Sequence, residues 1–361
     1  IKRTENKTPP LDMYRIKIKT IIKIKTMSTK NQLAEKFAGI MVRKMEEMKA
    51  AKWEKPWFDV SSKTNFYPQN YTGRKYTSGN AFFLMLACAW KGYQTPIFLT
   101  FNQCKNLEIS VTKNEESFPI YYKNFLVYNR QTNKRISFDD YNLLSEEDKK
   151  EWKLISYLKY YNVFNLDQTN FATVYEAEFK LLVEKFNAVE NNFTVETLFN
   201  CPELDLIIEE NSWVCDIALK KQNRAFYSLS SDSIVCPIKN QFPNHHDFYG
   251  TLLHEMTHST GTPERLNRAM GKVFGDNDYA REEVIAELSA AFTGTQLGVF
   301  AEPNKDSITY LNGWIKILKQ SPDFIFSLLG DVVSASSFIM ERVKVEMEVR
   351  IEMEILEKVA Q

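Results

Sequence analysis

Residues 254–258 read His-Glu-Met-Thr-His, and this short stretch constrains the fold more tightly than any other in the chain. On an α-helix His254 and His258 stand about 40° apart, one turn above the other, so the two imidazoles reach a common point only if the segment is helical. The flanks agree with that requirement. Asp247 is placed to cap the helix at its start, while Gly261 and Pro263 stop it after Thr260. Phe248, Leu252 and Met256 form an apolar stripe on the side away from the histidines. The expectation is a helix pinned to a core by one face and presenting His254, Glu255 and His258 from the other.

Two imidazoles in that relation, with a glutamate directly after the first, are the arrangement that holds a catalytic zinc ion, with the glutamate beside it as general base. Half of the four histidines lie in the motif; His245 and His246, just ahead of it, read as loop or cap residues. A catalytic zinc takes a third protein ligand and keeps one position for water. Residues Tyr279 to Leu288 read as a second helix on which Glu283 and Glu287 share a face. Glu283 is assigned as the third ligand of a single zinc ion. Glu287 is assigned as the carboxylate that orients a histidine through its other ring nitrogen, although the reverse assignment satisfies the same spacing.

The remainder of the chain is read around that motif. With 361 residues, two domains are expected. The five cysteines are odd in number, widely spaced and free of any CxxC pair, which argues against a disulfide framework and for a reducing cytoplasm. No apolar run approaches the roughly 18–20 uncharged residues that cross a bilayer, so a soluble protein without a membrane partner is expected. The net charge is zero, yet up to Asp167 the chain carries 29 basic against 17 acidic residues, and from Thr169 onward 17 against 29. A polyanion would therefore meet the first half only. Residues 1–26 contribute part of that excess in a strand-like alternation, Arg15-Ile16-Lys17-Ile18-Lys19. Met27 reads as the natural start, which makes 1–27 an upstream leader.

From Lys52 cations and rings interleave: Trp53, Lys55 and Trp57 are followed by Tyr71, Arg74, Lys75 and Tyr76. Single-stranded nucleic acid is held by cations on its phosphates and by aromatic faces under its bases, and these seven residues are the candidate contacts. The competing reading makes the two tryptophans core residues around a proline turn and Asn70-Tyr71-Thr72-Gly73 a plain hairpin turn. Ala81 to Trp90 reads as a buried helix and 96–128 as short strands. Residues 130–152 read as an exposed insertion, and Lys153 to Phe164 as a strand returning to the core. The fold class is α+β with two domains, a 28–168 α+β module and a helix-rich 169–339 domain, followed by a helical extension over 340–361.

Five segments together resemble the ArdC-type antirestriction family. They are Trp53 to Trp57; Tyr71 to Tyr76 with Asn80; Val163 to Gln168; His254 to Gly261 with Arg265-Leu266-Asn267-Arg268; and Tyr279 to Leu288. The resemblance runs from about Gln32 to about Ile339. It implies an N-terminal domain that binds single-stranded DNA, then a zincin-like, gluzincin-type metallopeptidase domain, in a protein that shields the incoming DNA of a mobile element from restriction. A departure lies at Val111 to Ser117, where the family carries a glycine-bearing basic turn. Three functions fit: DNA binding with an active zinc peptidase whose substrate is a protein that works on DNA, DNA binding with a structural zinc site, or a cytoplasmic zinc peptidase alone.

Overall fold

The structure, a computed structural model, describes residues 33–54, 57–58, 66–187, 199–270, 277–300, 303 and 308–360. The 1–27 leader and Lys55 lie outside them. In chain order the elements begin with helix α1 (33–50). Then come β1 (Gln69–Asn70), α2 (Ser78–Lys91), β2 (Ile97–Thr100), α3 (Phe101–Asn106), β3 (Phe118–Asn129), β4 (Arg135–Ile136), α4 (Phe138–Asn142), α5 (Glu146–Lys149) and β5 (Trp152–Asn165). The rest are α6 (Phe171–Val174), α7 (Glu176–Asn187), α8 (Pro202–Glu209), β6 (Asp216–Lys220), β7 (Phe226–Ser228), β8 (Ser233–Pro237), α9 (His245–Ser259), α10 (Asn277–Gln296), α11 (Ile308–Gln320) and α12 (Phe324–Ala360).

The chain is α+β and forms two compact units, one from the described residues of 65–88 and 92–188, the other from those of 1–64, 89–91 and 189–361. The second unit thus takes in α1 and the tryptophan segment after it, a stretch that the sequence had suggested belongs to the first module. The reason is burial: Phe37, Met41, Met45 and Met48 on one face of α1, with Trp53, Trp57 and Phe58 beyond it, are all core residues.

The first unit is built on a sheet whose order among the described residues is β1-β2-β5-β3-β4. Its centre is the antiparallel pair β3 and β5, in register from Phe118 opposite Val163 to Asn129 opposite Trp152. Buried helix α2 contributes Phe82 to Cys88 to this unit's core. Several residues singled out in the sequence are structural ties here. The Asn80 amide donates to the Tyr121 carbonyl at 2.7 Å and accepts from the Tyr121 N–H at 3.1 Å. The Asn165 amide donates to the Thr95 carbonyl at 2.8 Å, and Gln168 donates to Glu115 at 2.8 Å. Buried polar groups need such partners, which accounts for the amide-rich Asn165-Leu166-Asp167-Gln168.

In the second unit, β6 pairs parallel and β7 antiparallel with β8. Phe248, Tyr249, Leu252, Leu253 and Met256 on α9 are fully buried, in one cluster with Ile234, Cys236, Leu204 and Ile207. Helix α10 packs along α12, where Ser289 Oγ donates to the Val332 carbonyl at 3.2 Å and Thr293 Oγ1 to Ser336 Oγ at 2.8 Å. Small polar residues at that seam let the two helices approach closely.

The expected helical extension over 340–361 continues α12, which runs unbroken to Ala360 because nothing in Met340 to Ala360 breaks a helix. Its segment Phe324–Met353 has the length and mean hydropathy, 1.5, of a membrane span, although Asp331 and the charged residues from Glu341 onward leave no uncharged run of roughly 18–20 residues. The apolar stripe of that segment, Ile325, Leu328, Val332, Ala335, Ile339 and Val343, is buried in the unit's own core.

Candidate metal centre and nucleic-acid face

Helix α9 begins one turn earlier than the capping argument placed it. Asn244 is the N-cap, its Oδ1 accepting the Asp247 N–H at 2.8 Å while its amide donates to the Asp247 carboxylate at 2.8 Å. Asp247 therefore stands inside the first turn, where its charge faces the positive end of the helix dipole. His245 and His246 are helical too. His245 Nδ1 lies 2.8 Å from the Phe199 carbonyl, and His246 stacks on the Phe199 ring at a centroid distance of 4.1 Å. Both are accounted for by packing.

At the other end, the chain after Gly261 folds back and uses two arginines to satisfy the last carbonyls of α9. Arg265 donates to the Ser259 and Val214 carbonyls at 2.5 and 2.8 Å and forks onto Asp232 at 2.9 and 2.6 Å. Arg268 donates to the Thr257 carbonyl and to Thr260 Oγ1, each at 2.8 Å. Cations at a helix C-terminus interact favourably with its dipole as well as with its orphan carbonyls.

Between those ends, His254, His258 and Glu283 converge. Their ligand atoms all lie within 4.8 Å of one another. The two Nε2 atoms are 3.1 Å apart; Glu283 Oε2 is 3.5 Å from His254 Nε2, and its Oε1 is 3.8 Å from His258 Nε2. Burial works against a charge on His254, but the hydrogen bond to Glu283 and three nearby carboxylates outweigh it and push its pKa up to about 9. Burial likewise opposes the Glu283 charge, and His254 and His258 overcome it, holding the carboxyl down to about 2. The carboxylate is thus ionised and aimed at two nitrogens, a donor set of two imidazoles and one carboxylate that suits a divalent transition ion. Glu255, only 6% exposed, stands beside the cluster on α9.

Each histidine has a glutamate behind its other nitrogen. Glu282 Oε1 lies 3.4 Å from His258 Nδ1, and Arg268 clamps that carboxylate with two bonds, Nε to Oε2 at 2.9 Å and Nη2 to Oε1 at 2.6 Å. Glu287 Oε2 lies 3.9 Å from His254 Nδ1, while its Oε1 accepts the indole N–H of Trp57 at 3.1 Å. The sequence had offered Glu287 but neither Glu282 nor Arg268. The signal was available in the acidic pair Glu282-Glu283, since adjacent helix positions point to different sides and one of the two must leave the ligand face.

The candidate nucleic-acid residues fare differently. Trp53, Trp57 and Tyr76 are buried, at 6%, 1% and 6% exposure, so no base can stack on them; Tyr76 packs edge-on against Phe98. Tyr71 is half-buried against Phe171. Arg74 and Lys75 are exposed. The structure adds an aromatic set that the sequence reading had taken as a core strand. Tyr122, Tyr157 and Tyr161 are exposed, with ring centroids of Tyr122 and Tyr161 5.9 Å apart. Lys159 is directly opposite Tyr122 in the β3–β5 register, and its amine lies 5.1 Å from the Tyr161 ring. Residues two apart on a strand share a face, so the three rings and Lys159 form one patch. Exposed Arg74 is near enough for its charge to act on the Tyr122 hydroxyl, lowering a pKa that burial raises.

The geometry defines a zincin-like site in one unit and a separate α+β unit ahead of it, and comparison with known proteins agrees. Residues 203–328 match a family of zincin-like metallopeptidases, and residues 31–164 match the N-terminal domain of anti-restriction factor ArdC. The chain belongs to the ArdC-type proteins. The crystal structure of the antirestriction ArdC protein from the R388 plasmid, metal-free, is 27% identical with a TM-score of 0.59, covering 85% of this chain and 97% of its own. A Mn(II)-bound structure of the same protein gives 26% and 0.57 over equal coverage. Among curated relatives, a DNA primase TraC of Escherichia coli is 30% identical over 82% of this chain, which spans about a quarter of the relative's length (26%). An uncharacterised protein of Sinorhizobium fredii, y4eC, is 24% identical over 84% of this chain and 90% of its own.

Proposed function

We propose that this chain is an antirestriction protein that binds single-stranded DNA through its first unit and carries a zinc-dependent peptidase centre in its second. The convergence of His254, His258 and Glu283 beside Glu255 is the observation that carries the reading. When bound at those donors, zinc acidifies water and polarises a carbonyl. Glu255 takes the proton of the attacking water and returns it to the leaving amine, a role that needs a carboxylate close to the ligands but not among them. Glu282 and Glu287 face Nδ1 of His258 and His254, at 3.4 and 3.9 Å, and would orient the two Nε2 atoms toward a bound metal. That the ArdC protein of plasmid R388 has a Mn(II)-bound structure supports a divalent metal in this chain.

On the nucleic-acid side, the support is the exposed patch of Tyr122, Tyr157, Tyr161, Lys159 and Arg74 together with the basic excess of the first half. Rings and cations there meet bases and phosphates without a sequence code. The natural protein substrate is one that works on DNA, brought near by that binding.

The test is a pair of assays on the full chain. Zinc-loaded protein should cleave an unstructured protein such as casein, and Glu255→Gln should stop cleavage while retaining zinc. Fluorescence anisotropy with a labelled oligonucleotide should show binding that weakens with salt. Zinc binding without any Glu255-dependent cleavage would assign the metal a structural role instead.

A further inference from the structure

We propose that Trp57 is a positioning residue of the metal centre. Its indole N–H fixes one oxygen of Glu287, so that the other faces Nδ1 of His254. The proposal rests on the reading of His254, His258 and Glu283 as metal ligands. Trp57 and Glu287 are 230 positions apart in the chain, yet both belong to the same compact unit and are almost fully buried.

The two oxygens of the Glu287 carboxylate have separate tasks. Oε1 takes the Trp57 N–H at 3.1 Å; Oε2 stands 3.9 Å from His254 Nδ1, a buried atom that makes no hydrogen bond. An imidazole that binds a metal through Nε2 carries its proton on Nδ1, and a buried N–H is costly without an acceptor. Glu287 Oε2 is the acceptor that faces it. Rotation of a carboxylate about its terminal torsion is broad and weakly held, and the indole N–H on Oε1 restrains it.

The backbone is bent to deliver the ring. After α1 the chain reverses through Lys52 and Trp53, both left-handed with φ of 55° and 62°, and the Trp53 N–H caps the Met48 carbonyl at 2.7 Å. Two consecutive non-glycine residues in that region are strained and persist only where packing over-determines them. Here the buried Trp53, Trp57 and Phe58 do so. The arrangement parallels Arg268 and Glu282 behind His258, with one difference of chemistry. Arg268 is a cation that pairs with its glutamate, whereas the indole that bonds Glu287 is a neutral donor. The residues that match the peptidase family, 203–328, do not include Trp57; the metal centre draws on the N-terminal stretch.

The experiment is a double-mutant cycle on the full chain, reading zinc affinity by competition with a chromogenic chelator. Trp57→Phe keeps the ring and removes the donor; Glu287→Gln removes the acceptor. Each should weaken zinc roughly 10- to 100-fold, and the double variant should be no weaker than Glu287→Gln alone. Losses that multiply would mean that Trp57 acts by general packing, and an unchanged affinity in Trp57→Phe would overturn the proposal outright. Should Trp57→Phe fold poorly, benzothienylalanine incorporated at position 57, which has the shape of the indole but no N–H, gives the same readout. Wild-type protein that takes up no zinc would instead remove the metal-centre reading itself.

Discussion

Arg268 and Glu282 form a two-bond ion pair in which each side chain is only 2% exposed, directly behind His258. A pair this buried is expensive to break from one side, since the survivor is left as an uncompensated charge. Arg268→Ala should destabilise the fold by about 3–5 kcal/mol. Arg268→Lys should recover little of this, because an ammonium cannot fork across both oxygens. Urea unfolding of the metal-free protein measures both, and a loss below about 1 kcal/mol for Arg268→Ala would contradict the argument.

Gly261 is required by the same arginine. A Cβ there would approach the Arg268 guanidinium to 2.9 Å and the His258 carbonyl to 3.2 Å, and would also collide with the Met270 thioether. Gly261→Ala should therefore cost about 1–3 kcal/mol by overpacking, read as a fall in melting temperature. Combined with Arg268→Ala, which clears one of the clashing groups, it should cost less than the sum.

On the β3–β5 face, Tyr157→Ala and Tyr161→Ala should each weaken single-strand binding by about 1–3 kcal/mol, roughly 5- to 150-fold. Lys159→Ala should instead flatten the salt dependence, lowering the log–log slope by about 0.7. Tyr76→Phe, a change inside the core, should leave binding unaltered. Anisotropy titrations across a salt series separate the three outcomes.

The cysteines give a pH prediction. Burial pushes the Cys215 thiol up to about 11 and the Cys236 thiol up to about 12. Nucleophilic attack needs the thiolate, so alkylation of the native protein at pH 8 should be slow. Cys215, half-buried where the other four are buried, should react first. These folded-state values lie above the unfolded one of about 8.5, so the associated stability is complete below pH 8.5 and is lost as pH rises through 11 to 12. Urea midpoints should fall over that alkaline range, and peptide mapping after timed alkylation gives the order of reaction.

How much of this was legible beforehand differs between the two units. The helix carrying His254 and His258 was readable from local facts alone: a four-residue spacing, an apolar stripe and a glycine stop, all within one stretch of chain. The α+β class was likewise readable from alternating and helical periodicities. Between the two readings of Trp53 and Trp57 the structure supports the core one, because a tryptophan beside a lysine looks the same in sequence whether it stacks on a base or fills a core. Tyr157, Lys159 and Tyr161 looked like a core strand, for the converse reason that alternation does not say which of two faces a sheet leaves bare.

What the sequence determined by itself was therefore local: that the stretch around His254 and His258 is helical, that these residues can ligate a metal, and that Glu255 stands next to them on the same helix. Only the tertiary structure decided the supports, Trp57 behind Glu287 and Arg268 behind Glu282. It also decided which aromatics are buried. The physical reason is range. Capping, periodicity and one-turn spacing act over a few residues, whereas a hydrogen bond joining positions 57 and 287 forms only when burial of many apolar side chains brings the two stretches into one core.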